Sequence, residues 1–445
     1  MPLEKLLLTE SLKERFHDKI EKSKAVGTDG ISSEQFASIL DSEVELIQRK
    51  VTNMTYRFSR FNEKLILKNK SSLPRAVYIP TVRDRLVLNT LNTYLSEKFS
   101  EDLAPYQLTV KEIIKDIIQT LESDKYDAFI KLDIKNFFPS LDHKILLDKL
   151  QKRLNDKTAF SLLKKALNRS QKGIAQGLSI SSQLAAIYLN DVDKSFTHRT
   201  TFKYFRFVDD ILILCNHSEI QSIESEVKQQ ITDLGLDLHP TIIGGKSGKS
   251  GTGYLKENTL EYLGFSFSGN KISVRESSVE KLRKRIRQVF SSSLNDISLL
   301  NKNTYPEFYY KLNLKITGCL YNNRPYGWLF FFQDINDLTL LHHLDWFVKK
   351  SFEDFEIKYD PDEVKSFVKT YFAMKSLNPH KLDAESYIPS FNSGSITAEK
   401  SPVSPIDILG FKRVSETKEH NISKHYDLEE LEELIFDLDR DIELY

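Results

Sequence analysis

A pair of adjacent aspartates in the segment FRFVDDILIL, residues 205–214, constrains the fold of this 445-residue chain more than any other feature. Strand-forming runs at residues 204–207 and 211–215 flank the pair, which predicts a β-hairpin with residues 208–210 at its tip. Aspartate is a poor strand former, so the presence of Asp209 and Asp210 at this position calls for an explanation. The ordinary explanation is a solvated turn. The alternative is a binding site for a hard divalent cation, which prefers carboxylate oxygens.

A further carboxylate lies upstream, in AFIKLDIKNFFPSLDH. The apolar run of residues 128–132 predicts a strand, and Asp133 stands at its end. Two cations roughly 3.5–4 Å apart need several carboxylates that converge from different strands. An aspartate at a strand end together with an aspartate pair at a hairpin tip is therefore the arrangement that a two-metal phosphoryl transferase requires.

Between the two acidic segments lies GIAQGLSISSQLAAIYLNDVD, residues 173–193. Gly173 and Gly177 would let the backbone approach a ligand closely, and the Gln176 amide can reach a base or a sugar. Ser181 is expected to cap the helix that follows. That helix carries four residues at helical spacing: Leu184, Ile187, Tyr188 and Asp191. Taken alone, the segment also reads as a loop that leads into a core helix.

The order Asp, Gln-Gly, Asp-Asp resembles the palm of a reverse transcriptase, and the pattern is most similar to bacterial group II intron, retron and antiphage-defence members. KLDIKNFFPSLDH resembles motif A, GIAQGLSISS motif B and YFRFVDDILIL motif C. VGTDGISSEQF (26–36) and RAVYIPTVRDRLV (75–87) resemble the fingers segments, and LEYLGFSFSGNKISVR (260–275) resembles motif E, the primer-grip hairpin. The resemblance covers about residues 20 to 290 and, more weakly, the helical region to about 380.

The resemblance implies roles for individual residues. The catalytic carboxylates would be Asp133, Asp209 and Asp210, and these together with Ile134 would form the site for two Mg²⁺ ions. The nucleotide-binding set would be Arg75, Ile134, Phe138, Gln176 and Gly177. Arg75 would hold the triphosphate, since a guanidinium pairs with phosphate in a bidentate manner, and Lys68 and Lys70 are possible helpers.

Phe138 stands five residues after Asp133, where the family has the aromatic residue that discriminates between sugars. A ring there crowds a ribose 2′-OH and tolerates deoxyribose, whereas the neighbouring Phe137 is expected in the core.

Motif D usually has a lysine soon after a Gly-Leu turn, and either Lys246 or Lys249 can fill that place. Motif B has Ser182 where a proline is common, which is a departure from the family pattern.

The net charge of the chain is zero, but the charge is unevenly distributed. Residues 427–445 contain nine acids and one arginine, which leaves 62 basic against 54 acidic residues in the rest, a net charge of about +8.

The run KLRKRIRQVF (281–290) predicts a basic helix where the family has its thumb, whose helices grip the template–primer duplex. Its cations, which would bind nucleic-acid phosphates, are Lys281, Arg283, Lys284, Arg285 and Arg287. A solvated amphipathic face is the alternative.

The amino-acid composition indicates which additional modules and segments this chain is not expected to contain. Two cysteines without a Cys-x-x-Cys motif argue against a zinc endonuclease module and fit a reducing cytoplasm. The acidic flanks of the first apolar run argue against a signal peptide, no apolar run is long enough for a membrane span, and no RNase H or integrase module is expected. Residues 321–355 are aromatic-rich, and we expect core packing there rather than stacking on unpaired bases.

We predict an α+β right-hand polymerase, with fingers and a palm made of an antiparallel sheet plus helices, followed by an α-helical thumb and C-terminal region. The predicted divisions are residues 1–125 (N-terminal extension and fingers), 126–270 (palm, with a fingers insertion at 145–172), 271–385 (thumb and C-terminal helices), 386–426 (linker) and 427–445 (acidic tail). The spacing of the apolar residues in the tail predicts a helix. One face of it would carry Leu428, Leu431, Leu434, Ile435 and Leu438. That helix would dock on a partner or on the basic body, or remain solvated.

The predicted function is RNA-directed DNA synthesis, in which a primer hydroxyl attacks the α-phosphate of a dNTP and pyrophosphate leaves. The expected partners are dNTPs, a DNA product and an RNA template, specifically a dedicated noncoding RNA in antiphage defence, with a homo-oligomer or a partner protein also possible. A template-independent DNA polymerase of a defence or abortive-infection system, and a retron or group II intron-type enzyme, are the alternatives. Phe138 argues against an RNA polymerase, and the three aspartates argue against an inactive palm.

Overall fold

The computed structural model describes residues 2–66, 74–103, 107–167, 172–244, 249–298, 305–321, 324–376 and 428–439. The chain divides into two compact units, Met1–Asn258 and Thr259–Tyr445. Lys68, Lys70, Lys246 and the predicted linker at 386–426 lie outside the described residues.

The first unit is organised around a five-stranded sheet and a separate two-stranded hairpin. Its strands are β1 Asn62–Ile66, β2 Arg75–Ile79, β3 Ala128–Asp133, β4 Lys203–Phe207, β5 Asp210–Cys215, β6 Thr241–Ile243 and β7 Ser250–Tyr254. The large sheet has the order β4-β5-β3-β7-β6. Its pairs are antiparallel, as predicted for the palm, except that the edge strand β6 runs parallel to β7.

The two central strands are apolar, which explains why they lie in the middle of the sheet. Ile130 and Leu132 of β3 and Ile211 and Ile213 of β5 are fully buried on one face, in the main core of the unit. Because side chains alternate along a strand, Asp133 and Asp210 fall on the opposite face. The polar ends of these apolar strands are thus kept out of the core.

Helices surround the sheet and the hairpin. They are α1 Leu3–Leu6, α2 Thr9–Lys19, α3 Ser33–Ser38, α4 Leu40–Thr52, α5 Val82–Lys98, α6 Ser100–Leu103, α7 Val110–Glu122, α8 Phe137–Ser140, α9 His143–Arg153, α10 Lys157–Leu167, α11 Ser181–Thr197 and α12 Ile220–Asp233. The central helix α11 is buried along most of its length, with Leu184, Ile187 and Tyr188 in the core. Asp191, predicted on the same face, instead points outward and pairs with Lys149.

The second unit begins with a three-stranded antiparallel sheet in which β9 and β10 form the predicted motif E hairpin. Its elements are β8 Leu260–Tyr262, β9 Phe265–Ser268, β10 Lys271–Val274, α13 Glu276–Ser298, α14 Tyr305–Thr317, β11 Cys319–Tyr321, β12 Arg324–Tyr326, α15 Trp328–Phe331, α16 Leu338–Asp354, α17 Phe367–Ser376 and α18 Leu428–Asp439. From α13 onward the unit is helical, as predicted, with the addition of a short antiparallel hairpin formed by β11 and β12.

Two glycines explain that additional hairpin. Gly318 and Gly327 flank it with φ of 65° and 115°, a region that favours glycine. A Cβ on Gly327 would lie 2.6 Å from the Gly318 Cα, and one on Gly318 would lie 2.3 Å from the Tyr326 carbonyl oxygen. The chain therefore closes on itself at a point where no side chain fits.

The acidic helix α18 docks within its own unit. Ile435 and Leu438 are fully buried against Leu314 and Cys319, and the Lys315 ammonium lies 2.9 Å from the Asp437 carboxylate. Phe436 contacts the ring of Tyr326 edge-on, with the ring centroids 6.1 Å apart. The solvated alternative was therefore wrong for this helix. Among the described helices, none combines the length and the apolar composition needed to cross a membrane.

Candidate active site

The aspartate pair stands where β4 turns into β5. Phe207 pairs with Asp210 across the two strands, so the loop contains only Val208 and Asp209. The hairpin is confirmed, but the tip is one residue shorter than predicted, because Asp210 is the first residue of β5. Val208 has a φ of 56°, a position where two-residue hairpins favour glycine. A β-branched residue held there costs roughly 1–3 kcal/mol and must be supported by its surroundings.

The support comes from a buried ion pair. The Arg206 guanidinium contacts the carboxylate of Asp193 on α11, with Nε 2.7 Å from Oδ1, and both side chains are buried. The Arg206 Nη1 donates to the Val208 carbonyl oxygen at 2.8 Å, and the Tyr204 hydroxyl donates to Asp193 at 3.0 Å. Arg206 thus ties the strained tip to the central helix and restricts where Asp209 can point.

The register of the central strands brings the carboxylates together. Asp133 is the direct partner of Asp210, and directly opposed residues have Cβ atoms about 4.5–5.5 Å apart. Asp209 is adjacent, because its carbonyl oxygen accepts a bond from the Ile134 N–H at 3.3 Å. Like charges in such positions destabilise a sheet unless a cation or a proton neutralises them.

The electrostatic consequence is seen at Asp209. Burial, followed by the charges of Asp210 and Asp133, raises the pKa of Asp209 from 3.8 to about 6, while Arg75 acts in the opposite direction. The charge of Arg75 thus acts on the same carboxylate as the charges of Asp133 and Asp210. Arg75 is the first residue of β2 and is exposed.

Asp133 has two basic neighbours, of which His239 has its pKa lowered from 6.5 by burial and by the charge of Lys249. Its Oδ1 lies 3.3 Å from the His239 Nε2 and 3.7 Å from the Lys249 Nζ, and these two nitrogens are 3.1 Å apart. Its backbone N–H donates to the Ser250 hydroxyl at 3.0 Å. Within the described part of the chain, no three His, Cys, Asp or Glu side chains form a ready-made ligand group. The carboxylate oxygens suit hard cations, but Asp133 would have to exchange these partners for a metal ion.

The motif B loop contacts β2 through its backbone. The Gln176 carbonyl oxygen accepts a bond from the Tyr78 N–H at 2.8 Å. Gly177 has a φ of 96°, and a Cβ on it would lie 2.7 Å from the Val77 Cγ1 and 2.9 Å from the Tyr78 carbonyl oxygen. The close approach expected for this glycine is therefore to the strand that begins with Arg75, and no ligand is needed to explain it.

Gly173 has a similarly close neighbour, since a Cβ on it would lie 3.0 Å from the Pro139 carbonyl oxygen. The expectation for Ser181 was wrong. Ser181 does not cap α11, because Ile180 occupies the N-cap position. The Ser181 hydroxyl instead donates to the Ala175 carbonyl oxygen at 2.7 Å and so closes the loop.

The remaining nucleotide-site residues follow Asp133 along the chain. The Ile134 side chain is buried, so only its backbone can take part in binding. Phe137 is in the core, as expected, whereas Phe138 is partly buried against it, with the two ring centroids 5.5 Å apart. The Phe138 carbonyl oxygen accepts a bond from the Ile174 N–H at 2.8 Å, which fixes this turn to the motif B loop.

The predicted phosphate-binding residues lie on α13 in the second unit. Lys281, Lys284 and Arg287 are exposed, and Arg283 and Arg285 are partly exposed. Arg283 pairs with Glu276 and Glu280, and Arg287 lies 3.8 Å from Asp354. The helix is amphipathic, with Leu282, Ile286 and Phe290 buried.

Sequence reasoning missed His239 and the Asp193–Arg206 pair. A lone histidine in a loop carries no local signal, and its position beside Asp133 depends on the bridge of Leu238 with Ile134, next to which the His239 N–H donates to the Asp133 carbonyl oxygen at 2.9 Å. Arg206 lies two residues from Tyr204 and therefore on the same face of β4, so a charged residue on the inward face of a strand was a signal that could have been used.

Comparison with known proteins agrees with this geometry. Residues 66–267 match the family described as reverse transcriptase (RNA-dependent DNA polymerase). The chain is 23% identical over 193 residues to the group II intron-encoded protein LtrA of Lactococcus lactis subsp. cremoris, which covers 40% of this chain and 32% of LtrA. It is 21% identical over 301 residues to the retron Ec73 reverse transcriptase of Escherichia coli, which covers 62% of this chain and 94% of that protein.

Among solved structures, a telomerase from Candida albicans in complex with a fragment of telomeric RNA matches with 14% identity and a TM-score of 0.42, over 77% of this chain and 62% of that one. The chain spans about a third of the length of LtrA. Residues 66–267, which hold Asp133, Asp209 and Asp210, match the reverse transcriptase family as a domain of this chain. The predicted family and fold class, an α+β right-hand polymerase, are confirmed.

The raised pKa of Asp209 predicts how stability changes with pH. In the absence of divalent cations, the folded chain binds more protons than the unfolded chain between about pH 4 and pH 6. The free energy of unfolding should therefore fall as the pH rises through this window, by at most about 3 kcal/mol. Asp209→Asn should remove the fall and raise the melting temperature at pH 7. Asp148→Asn, which removes an exposed carboxylate on α9, is the control, and an equal effect from it would contradict the charge cluster.

The buried ion pair predicts a large loss of stability. Asp193→Asn leaves the Arg206 guanidinium buried and uncompensated, which should lower the free energy of unfolding by about 3–5 kcal/mol in urea titrations. Glu226→Gln, which breaks the exposed pair with Arg199, should cost less than about 1 kcal/mol. Similar losses in the two variants would mean that the Asp193–Arg206 pair does not hold the hairpin tip.

Proposed function

We propose that the chain is an RNA-directed DNA polymerase. The observation that carries the proposal is the cluster of Asp133, Asp209 and Asp210 at one end of β3 and β5, within the reverse transcriptase domain, where mutual repulsion and burial raise the pKa of Asp209. Such a cluster is unfavourable by itself and becomes favourable when cations bind it. In the proposed reaction a primer hydroxyl attacks the α-phosphate of a dNTP, and pyrophosphate leaves.

Two divalent cations, Mg²⁺ in our proposal, would be held by Asp133, Asp209, Asp210 and the backbone of Ile134. When bound, they would make the primer hydroxyl more acidic and neutralise charge on the leaving side. The chain's own residues position the reactants. The Arg206 contact with Val208 orients Asp209, and the contacts of Asp133 with His239 and Lys249 hold its carboxylate in place until the cations bind.

Arg75 and Phe138 would set the place of the nucleotide. The positive charge of Arg75 acts to lower the pKa of Asp209, and Arg75 would bind the triphosphate. Gln176 and Gly177 fix the backbone of the motif B loop against β2, so the strand that carries Arg75 and the loop form one framework. Lys249, whose Nζ lies 3.7 Å from the Asp133 Oδ1, is our choice for the motif D lysine.

The template is proposed to be RNA, and specifically a dedicated noncoding RNA with which the protein serves antiphage defence in the cytoplasm. The alignment with the retron reverse transcriptase extends over 301 residues and 94% of that protein's length, which is more than the segment 66–267 that matches the family model. This supports a retron-like enzyme with one resident RNA rather than a polymerase that accepts any template. The basic residues of α13 would bind nucleic-acid phosphates.

Removing one carboxylate should abolish synthesis. Asp133→Asn and Asp209→Asn should each reduce dNTP incorporation on a primed RNA template by a factor of 100 or more (an order-of-magnitude expectation for the loss of transition-state charge stabilisation), while the chain remains folded by circular dichroism. Asp148→Asn should retain wild-type activity. Wild-type incorporation by Asp209→Asn would overturn the assignment, and equal incorporation by the wild-type protein with and without RNA would favour template-independent synthesis.

Sugar selectivity should depend on Phe138. Phe138→Ala opens room for a 2′-OH, so steady-state incorporation of rNTPs relative to dNTPs should rise by roughly tenfold or more, because exclusion of a group by a steric clash is worth on the order of 1–3 kcal/mol. Phe137→Leu, a change to its buried neighbour, should leave the ratio unaffected. An unchanged ratio in Phe138→Ala would mean that Phe138 is only a core residue.

The resident RNA can be identified directly. RNA held only by phosphate contacts dissociates steeply with salt, whereas a shape-specific RNA is also held by stacking and 2′-OH contacts. Purification at about 0.5 M salt, where the Debye length is well below ~10 Å, should therefore retain one dominant species from the neighbouring locus. Sequencing that yields only heterogeneous cellular RNA, or none, would count against a dedicated noncoding RNA.

A further inference from the structure

A groove of about 920 Å³ lies between α13 and α16 in the second unit. On the α13 side its lining residues recur at helical spacing, which places them on one face, and they include Arg283, Lys284 and Arg287. The α16 side contributes His343, Trp346 and Phe347. None of these α16 residues has a part in the proposed reaction.

Trp346 is the unusual member of this lining. Its side chain is 63% exposed, whereas Trp328, the other tryptophan of the chain, is 1% exposed in the core. Core packing, expected for this aromatic-rich region, holds for Trp328 but not for Trp346. A large ring left open beside cations is the feature that proteins use to bind unpaired bases.

The cations are arranged along the aromatic floor of the groove. The Arg283 and Arg287 guanidinium carbons lie 5.8 and 5.2 Å from the centroid of the Phe347 ring, which is cation–π distance. The lining contains three cations and one carboxylate, Glu280. Beside it, Glu276 and Asp354 also face the two arginines.

These acids would not exclude a polyanion. The side chains of Glu276, Glu280 and Asp354 are 74%, 60% and 40% exposed in their ion pairs, and exposed pairs of this kind are worth little. A phosphate can therefore displace them from Arg283 and Arg287. Lys284, which is exposed beside the arginines, adds a third positive charge to the same wall.

We propose that this groove binds a single-stranded stretch of the RNA partner, with an unpaired base stacked on Trp346 and the flanking phosphates on Lys284 and Arg287. The choice of RNA rests on the proposed function, whereas the charge and the open ring come from the groove itself. A paired duplex fits less well, because its bases are not available for stacking on a side chain. A protein partner fits less well, because the wall of arginine and lysine does not complement an apolar surface.

The two tryptophans make the test specific. Titration of the full-length protein with an oligouridylate of about ten nucleotides, within the site sizes of single-strand binders, should quench the emission of Trp346 and leave that of Trp328. The same RNA as a duplex should not quench it. Trp346→Ala should weaken binding roughly 5- to 150-fold, measured by anisotropy of the labelled oligonucleotide, as expected for the loss of one stacked base.

Two matched controls separate this site from general effects. Phe372→Ala removes another exposed ring of the same unit, 54% exposed on α17, and should leave affinity unchanged. Lys284→Gln should reduce the salt dependence by about one phosphate contact, a slope change of ~0.7. Lys349→Gln removes an exposed lysine of α16 that does not line the groove and should leave the slope as it is.

The outcomes are distinguishable from those of the polymerase assay. Quenching without RNA-templated synthesis would overturn the proposed function and keep the groove, and synthesis without quenching would overturn the groove alone. Equal quenching by duplex RNA, or equal weakening by Phe372→Ala and Trp346→Ala, would also contradict the proposal. So would protection of Trp346 from acrylamide in the protein without RNA, which would show that another part of the chain covers the ring.

Discussion

The antiparallel pairing of β3 with β5 is the constraint on which the rest of the site depends. The apolar residues of these strands fix the register, because a slip by one residue would move Ile130, Leu132, Ile211 and Ile213 out of the core. The same register forces Asp133 opposite Asp210 and puts Asp209 beside both. The free energy gained by burying the strands thus holds three carboxylates in an arrangement that they would not adopt by themselves.

The residues around the three carboxylates stabilise this arrangement in two ways. Arg206 and Asp193 form a neutral buried pair, which stabilises the strained turn at Val208 without bringing a net charge close to the carboxylates. His239 and Lys249 contact Asp133 from the β6–β7 side of the sheet, and these contacts are partly exposed. Exposed contacts are weak and exchangeable, so they can give way to a divalent cation, whereas the buried pair cannot.

Local sequence patterns predicted the elements that depend on neighbouring residues. The strand that ends at Asp133, the hairpin of motif C and the buried face of α11 could be read from apolar periodicity. Contacts between distant segments could not: Gly177 meets β2, and His239 reaches Asp133 because the backbone of residues 237–239 pairs with that of residues 133–135. The hairpin of β11 and β12 was missed because it depends on the contact of Gly318 with Gly327. The docking of α18 was left open, since an amphipathic pattern predicts a buried face and not the surface that buries it.

The central claim is that the strand register creates a divalent-cation site, and a thermal-shift titration tests it most directly. Mg²⁺ or Mn²⁺ added at pH 7 should raise the melting temperature of the wild-type protein, because cations that bind the folded state stabilise it by mass action. Asp209→Asn should start from a higher melting temperature and show little further increase, and Asp148→Asn should respond as the wild type does. An equal cation-dependent shift in the wild type and in Asp209→Asn would contradict the account.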